Sequence, residues 1–222
     1  PAEQAAASVT VITAEELVAS GQTTLVDALE RVAGVSFRST TGSPANAEVA
    51  MRGFGENSHG RVLVLVDGRR LNRPDMAGPN WLQVPVENVE RVEILRGPAT
   101  VLYGDHAVGG VINIITKKGT EKVSFTASAM GGSFLLNQQR LGGSGAAGPV
   151  RFALSGERTA SDGYRERSAW SSLGGGAALD ADIGDRLAAS LRVGYNQTDT
   201  QLPGALTEAQ WKDDPTQAAN PD

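Results

Sequence analysis

From Thr120 to about Thr200 the sequence alternates apolar and polar residues and shows no helical period. Residues 123–129 alternate apolar residues with Ser and Thr, and residues 150–155 repeat the pattern with a charge on the second face. One face of a later segment carries Leu187, Ala189, Leu191, Val193 and Tyr195. A period of two matches the β-strand, whose successive side chains point to opposite faces. This part of the chain is therefore predicted to form strands with one apolar and one polar face.

Two β architectures fit such strands, a soluble sandwich and a transmembrane barrel with a wet interior. Residues 147–149 and 182–185 form short links, which alternate with a longer polar link at 159–168 and a long tail after Thr200. Short turns at one end and long loops at the other are typical of membrane barrels. The short link at 130–133 breaks that asymmetry, so spacing alone favours the barrel but leaves the sandwich open.

Composition narrows the function classes. The net charge of −5 offers no basic stripe for nucleic acid. The absence of Cys excludes disulfide scaffolds and thiolate zinc sites. No apolar run approaches the roughly 20 residues of a transmembrane helix, whereas a transmembrane strand needs only about 9–11 alternating residues.

The first part of the chain, to about Gly119, mixes helical and extended patterns. A short strand at residues 9–12 precedes Thr13, which is predicted to cap a helix in a capping box with Glu16. Thr24 is predicted to open a second helix, and Gly34 to end it. Strands are predicted at residues 35–37, 48–52, 62–66 and 89–95, and the apolar run 62–66 is expected to be a buried central strand. The turn pair Asp67-Gly68 follows it directly. These patterns predict a compact α+β domain.

Five sequence blocks follow one another in this domain. They are Met51-Arg52-Gly53-Phe54-Gly55, Val62-Leu63-Val64-Leu65-Val66-Asp67-Gly68, Val89-Glu90-Arg91-Val92-Glu93-Ile94-Leu95-Arg96-Gly97-Pro98, Leu102-Tyr103-Gly104 and Gly109-Gly110-Val111-Ile112-Asn113-Ile114-Ile115-Thr116. The series closely resembles the plug domain of TonB-dependent transporters over residues 9–118. The fixed order of so many blocks makes the resemblance specific.

The resemblance implies a plug domain at residues 1–119, followed at 120–222 by about five N-terminal strands of an incomplete outer-membrane barrel. The whole barrel is expected to have 22 strands, to lie in the outer membrane of a Gram-negative bacterium, and to contact its lipid and the remaining strands. The chain begins at Pro1 without an initiator Met, so a mature or trimmed product is expected. The family's TonB box is expected upstream, because residues 1–8 contain no recognisable box.

The resemblance also places ligand-contacting loops at residues 40–47 and 69–83, which strand order suggests lie at the same end. Hydrogen-bonding groups beside an exposed aromatic suit a bulky polar ligand. The candidate substrate-binding residues are Ser43, Pro44, Asn46, Arg70, Asn72, Arg73, Asp75 and Trp81. The alternative is that these are ordinary solvated loop residues.

Two arginines, Arg52 and Arg96, each precede a Gly at a strand end. In the family, arginines at these motif positions pair with acidic residues on the barrel wall, which suits the bidentate guanidinium. The alternative is a local ion pair with Glu48, Glu90 or Glu93.

No catalytic residue, metal site or cofactor is predicted. His59 and His106 stand in no metal-ligand motif, and surface or turn roles are expected for both. Glu90 and Glu93 are expected on opposite strand faces, which argues against paired acid–base chemistry. The glycines of the motif blocks are interpreted as backbone geometry and not as a phosphate loop.

The resemblance predicts active import of a scarce nutrient energised by TonB, without enzyme activity. A ferric siderophore is the expected ligand because that class is the larger one, and a cobalamin or haem receptor is the alternative within the family. A split plug that gates or signals through a partner barrel is the alternative of another class.

Overall fold

The computed structural model describes residues 8–22, 24–32, 34–39, 44–73, 78–183 and 187–219, with the backbone alone at 46, 56 and 57. These residues form two compact units, one up to Lys117 and one from Lys118 onwards. The α+β fold predicted for the first part of the chain and the antiparallel strands predicted for the second are confirmed. Within the described residues no helix has the length and apolar character needed to cross a membrane.

The first unit contains seven strands and three short helices in the described residues. In chain order they are β1 (Ser8–Thr13), α1 (Ala14–Ala19), α2 (Leu25–Glu30), β2 (Val35–Arg38), β3 (Glu48–Met51), β4 (Val62–Val66), β5 (Arg69–Arg70), β6 (Val89–Arg96), α3 (Thr100–Tyr103) and β7 (Gly110–Thr116). Single 3₁₀ turns lie at Pro44–Asn46, Gly55–Ser58, Trp81–Gln83 and Val86–Asn88.

Both helix starts form as the sequence predicts. The Thr13 hydroxyl accepts the backbone N–H of Glu16 at 3.3 Å, and the Glu16 carboxylate accepts the N–H of Thr13 at 2.8 Å, which is a complete capping box. The Thr24 hydroxyl likewise accepts the N–H of Asp27 at 3.2 Å. Each cap satisfies amide groups that the first helical turn leaves without partners.

The main sheet has the order β1-β6-β7-β4-β5, with β4 and β7 parallel and the other pairs antiparallel. β4 is buried as predicted, but the expectation that it is central is wrong, because β7 occupies the centre. The sequence interpretation missed β7 and the two-residue β5. The Asp67-Gly68 turn is confirmed, with φ of 49° and 79°, and it sends the chain straight back along β4.

The sheet of this unit buries apolar residues on both faces. One cluster joins Val64, Val92, Ile94 and Ile112 to side chains of α1, α2 and the 3₁₀ turns. A smaller cluster on the second face joins Leu63, Leu65, Ala99, Ala107 and Val111. Burial on both faces explains why β4 and β7 read as continuous apolar runs and not as alternating strands.

Gly110 shows why glycine stands in the fifth sequence block. A Cβ at this position would lie 2.5 Å from the carbonyl oxygen of Leu95 and 2.6 Å from the sulfur of Met51. Those separations are far below van der Waals contact, so only glycine lets β7 approach β6 and β3 this closely.

The second unit is an antiparallel meander of five strands in the order β12-β11-β10-β9-β8, followed by a short helix. The elements are β8 (Ser124–Gly132), β9 (Leu136–Ala147), β10 (Val150–Ser161), β11 (Trp170–Ile183), β12 (Leu187–Thr200) and α4 (Glu208–Asp213). β9 and β11 were not singled out from the sequence, because the glycines in each dilute the apolar–polar alternation.

Strand register separates an apolar face from a polar face. The apolar face carries Leu141, Leu154, Leu173, Leu179, Leu191 and Val193, which are all at least 40% exposed. The apolar residues form a belt that runs along β11 from Leu173 to Ile183, which is about 33 Å of strand. With strands tilted by about 40° to the barrel axis, the belt is about 25 Å high along that axis. A band of that height matches the apolar belt of a transmembrane barrel. A soluble sandwich would instead cover this face with a second sheet.

The polar face carries three ion pairs between the described strands. Arg140 Nε lies 2.9 Å from Glu157 Oε2, and Arg192 Nη2 lies 2.8 Å from Asp180 Oδ1. A third pair joins Arg151 to Asp182 at 2.9 Å. Charges on the face opposite the apolar belt are the arrangement of a barrel with a polar interior.

Candidate ligand-binding site

Trp81 joins the two stretches predicted to bind ligand. Its indole Nε1 donates to the carbonyl oxygen of Ala47 at 2.7 Å, and its ring packs edge-on against Phe37 with centroids 5.2 Å apart. The expectation of an exposed aromatic is wrong, because Trp81 is 1% exposed. The apolar ring reaches the core, and the buried N–H finds its partner on the neighbouring loop. Trp81 therefore fixes the two loops together and does not itself face a ligand.

Asn72 is also bound to the scaffold. Its Oδ1 accepts the N–H of Val64 at 2.7 Å, and its Nδ2 donates to the carbonyl oxygen of Val62 at 3.0 Å. The side-chain amide thus continues the hydrogen bonding of β4 beyond the short β5, where the strand edge would otherwise lack partners.

The two predicted arginines of the second loop have different surroundings. Arg70 is exposed and forms an ion pair with Asp105, and its hydrogen bond lowers the pKa of that carboxyl below the usual range. Arg73 is exposed and lines the cleft described next. A ligand that used Arg70 would have to replace Asp105.

A small cleft lies between the second loop, the beginning of β3 and the turn before β4. Its lining residues are Glu48, Val49, Ser58, His59, Gly60, Val62, Asn72, Arg73, Gly78, Pro79 and His106. Its enclosed volume of about 20 Å³ has room for a single water molecule. Ligand would therefore bind over the cleft and not inside it.

The hydrogen bond from Trp81 to Ala47 joins the two predicted loops, but the chain path differs from the prediction. The type I′ turn at Asp67-Gly68 returns the chain along β4, so Arg73 lies beside the beginning of β4 and not beyond its end. His59, which was assigned only a surface or turn role, forms an ion pair with Glu48 on the cleft wall. No local sequence pattern marks this contact, because it joins the end of the 3₁₀ turn Gly55–Ser58 to the beginning of β3.

The remaining candidate residues contribute little to the described cleft. Pro44 begins the 3₁₀ turn Pro44–Asn46 and is half-buried. Ser43, Asp75 and the side chain of Asn46 lie outside the described residues, so their predicted roles stay predictions.

Arg52 and Arg96 occupy different environments. Arg52 is exposed at the end of β3 with a left-handed φ of 57°, and the described part of the chain records no ion pair for it. Arg96 donates to the Thr10 hydroxyl at 2.6 Å and lies against Gly34, where an added Cβ would be 3.4 Å from the arginine Nε. Arg96 thus contacts its own unit.

The acidic residues that could have paired locally with these arginines have other partners. Glu48 binds His59, and Arg91 lies 2.9 Å from both Glu90 Oε1 and Glu93 Oε1. The expectation that Glu90 and Glu93 are kept apart on opposite faces is wrong, because a register irregularity between Val89 and Arg91 lets both carboxylates reach one guanidinium. Among the described side chains, no three His, Asp or Glu residues are grouped to hold a metal ion.

Comparison with known proteins identifies the architecture. Residues 1–111 match the family described as TonB-dependent Receptor Plug Domain. The chain is 40% identical over 130 residues to an iron-regulated outer membrane virulence protein of Vibrio cholerae, covering 55% of this chain and 19% of that protein. It is 38% identical over 133 residues to the vitamin B12 transporter BtuB of Vibrio vulnificus, covering 60% of this chain and 21% of that protein. The chain thus spans about a fifth of these relatives.

Solved structures give the same fold. The unliganded ferric citrate transporter FecA superposes with a TM-score of 0.82 at 23% identity, covering 99% of this chain and 35% of FecA. The ferric yersiniabactin uptake receptor FyuA of Yersinia pestis superposes with a TM-score of 0.73 at 23% identity, covering 86% of this chain and 32% of FyuA.

Removing the Trp81 hydrogen bond should loosen both loops of the cleft. Trp81→Phe keeps an aromatic ring beside Phe37 but leaves the Ala47 carbonyl without its donor, at a cost of about 1–3 kcal/mol. Hydrogen exchange of the amides at 44–50 and 80–84 should accelerate by about tenfold. Trp211→Phe, at an exposed position of α4, is the matched control. Unchanged exchange in Trp81→Phe would show that the indole does not hold the loops.

Proposed function

We propose that the whole protein imports a scarce nutrient across the outer membrane, on the premise that this chain belongs to the TonB-dependent receptors. Its relatives are outer-membrane proteins of Gram-negative bacteria, and the outer membrane is its location. The observation that carries the proposal is that the two units are consecutive parts of one chain. One chain passes from a plug-type α+β unit directly into strands with an apolar belt of membrane height.

In the proposed mechanism the first unit binds ligand and closes the barrel that the second unit begins. Ligand over the cleft would contact Arg73 and Glu48, and the hydrogen bond of Trp81 to Ala47 would carry a displacement of the second loop to the first. Binding shifts the conformational population of the plug only to the extent that the ligand prefers one state. TonB would then engage the N-terminal segment and use inner-membrane energy to move the plug.

The proposed ligand is a ferric siderophore. Support comes from relatives and structural neighbours named for iron regulation or for the uptake of ferric chelates. Cobalamin is the second candidate, and the vitamin B12 transporter of Vibrio vulnificus supports it at 38% identity. The mixed charges of the cleft, with Arg73 facing the Glu48–His59 pair, suit a bulky chelate with both donors and acceptors.

Uptake by the full-length receptor tests the function directly. Liposomes that contain the receptor, the TonB complex and a proton gradient should accumulate labelled ferric siderophore, and uptake should stop when the gradient is collapsed. Parallel assays with labelled cobalamin decide between the two ligands. A receptor that accumulates neither labelled compound under the gradient would contradict the proposal of import for these ligands.

The same receptor tests the cleft. Arg73→Ala should weaken ligand binding by about tenfold, because a hydrogen bond to a charged group contributes about 1.5–3 kcal/mol. Arg69→Ala, which removes an equally exposed arginine outside the cleft lining, is the matched control. Equal losses in both variants would indicate a general charge effect and not a site at Arg73.

We also propose that Arg52 contacts the barrel wall, since it projects from a left-handed turn without an ion pair in the described part of its own unit. Arg52→Ala in the full-length receptor should loosen the plug and admit antibiotics too large for porins. Arg31→Ala, an exposed arginine at the end of α2, is the control. Unchanged antibiotic exclusion in Arg52→Ala would contradict the wall contact.

Arg96→Ala should instead speed the hydrogen exchange of the amides that pair β1 with β6.

A further inference from the structure

The apolar face of the second unit carries two charged side chains among its described strand residues. Strand register places Arg158 of β10 and Asp199 of β12 on this face, near the same end of the sheet. Every other strand residue on the face is apolar, small or uncharged. A cation kept on a face that contacts lipid is expensive except near the membrane surface, so its position is informative.

Arg158 lies in the outermost row of the apolar belt. This row across the sheet contains Gln139, Arg158, Leu173 and Gln197, and the next row towards the middle of the belt contains Leu141, Gly156, Gly175 and Tyr195. The Tyr195 hydroxyl donates to Gln197 Oε1 at 2.9 Å, so the phenol spans the boundary between the two rows. Tyrosine in this orientation is typical of the membrane–water interface.

The end of the sheet that carries Arg158 is the outer one. The long connections, residues 162–169 and the segment after β12, leave the sheet at this end together with the short turn at 133–135, whereas the turn at 148–149 closes the other end. In outer-membrane barrels the long loops are extracellular and the short turns periplasmic. Arg158 therefore faces the outer leaflet, whose glycolipids carry phosphorylated sugars.

Arg158 differs from the other strand arginines in its charge partners. Arg140, Arg151 and Arg192 lie on the polar face, and each is paired with a carboxylate of the neighbouring strand. Arg158 is exposed, and the described residues record no ion pair for it. Its guanidinium is thus available to bind a phosphate in bidentate geometry.

The surface below Arg158 is shaped for an acyl chain. Gly156 lies one row towards the middle of the belt, is paired with Gly175, and has open space where a Cβ would stand. Leu173 lies beside Arg158 in the row above, Leu154 follows Gly156 in the row below, and the two leucines are 53% and 52% exposed. The row without side chains at Gly156 and Gly175 leaves a gap for hydrocarbon between Arg158 and Leu154.

We propose that Arg158 binds the phosphorylated headgroup of an outer-leaflet glycolipid whose acyl chain enters the gap at Gly156 and Gly175. The shared chemistry is a phosphate monoester next to sugar hydroxyls. The site faces the lipid and is independent of the nutrient that the protein imports. Glycolipid bound there would hold the outer end of β10 at a defined depth in the membrane.

Native mass spectrometry of the full-length receptor with added lipid A tests this site. The wild-type receptor should retain bisphosphorylated lipid A at least fivefold better than the fully dephosphorylated form. Arg158→Gln should reduce retention of the bisphosphorylated form to the dephosphorylated level, and Arg158→Lys should retain an intermediate amount. Arg151→Gln, which removes a paired arginine from the polar face, should behave as wild type.

Several results would overturn the proposal. They are equal retention by wild type and Arg158→Gln, retention by wild type that does not depend on the lipid phosphates, and complete displacement of the lipid by excess inorganic phosphate. If a variant does not fold, the wild-type receptor still tests the proposal, because its retention of bisphosphorylated lipid A can be compared with its retention of the dephosphorylated form.

Discussion

Backbone hydrogen bonding is the constraint on which the second unit depends. A strand in hydrocarbon finds no water, so its N–H and C=O groups must pair with neighbouring strands. The continuous registers meet this demand for β9, β10 and β11, which pair on both sides, and for the inner edges of β8 and β12, over strands of 9 to 14 residues. Fixed register also fixes the faces, since a slip of one residue would turn Leu191 inward and Arg192 outward. The apolar belt, the polar face and the lipid-facing Arg158 all follow from that register.

The first unit meets a different demand, which is to hold loops around a sheet that is buried on both faces. Its loops are held by a few polar contacts, from Trp81 to Ala47, from Asn72 to β4, and from Arg70 to Asp105. Such contacts fix the positions of the loops, but each contributes little to the free energy of unfolding. A domain built this way can be reshaped locally while its doubly covered sheet stays intact. That property suits a plug that must respond to ligand and still close a pore.

How far the sequence predicts this structure depends on the range of the interactions. The capping box at Thr13 and the Asp67-Gly68 turn are local, and both were predicted correctly. The central place of β7 depends on parallel pairing with β4 across more than 40 residues, which no local pattern encodes. Trp81 was misplaced because an aromatic in a polar loop looks exposed until its core partner Phe37 is known. The cleft was found in part because the resemblance supplied its loops, whereas His59 joined it only through tertiary contact.

The central claim is that the second unit crosses the outer membrane with its apolar face towards lipid. This chain contains no cysteine, so single spin labels can be placed along β12 without background from it. Labels at Ala189, Leu191 and Val193 of the full-length receptor in bilayers should be accessible to dissolved oxygen and shielded from a water-soluble nickel chelate. Labels at Ser190, Arg192 and Gly194 should show lower oxygen access, and the alternation should fade beyond Gln197. Equal exposure of both faces to the nickel chelate, or burial of both, would contradict the account.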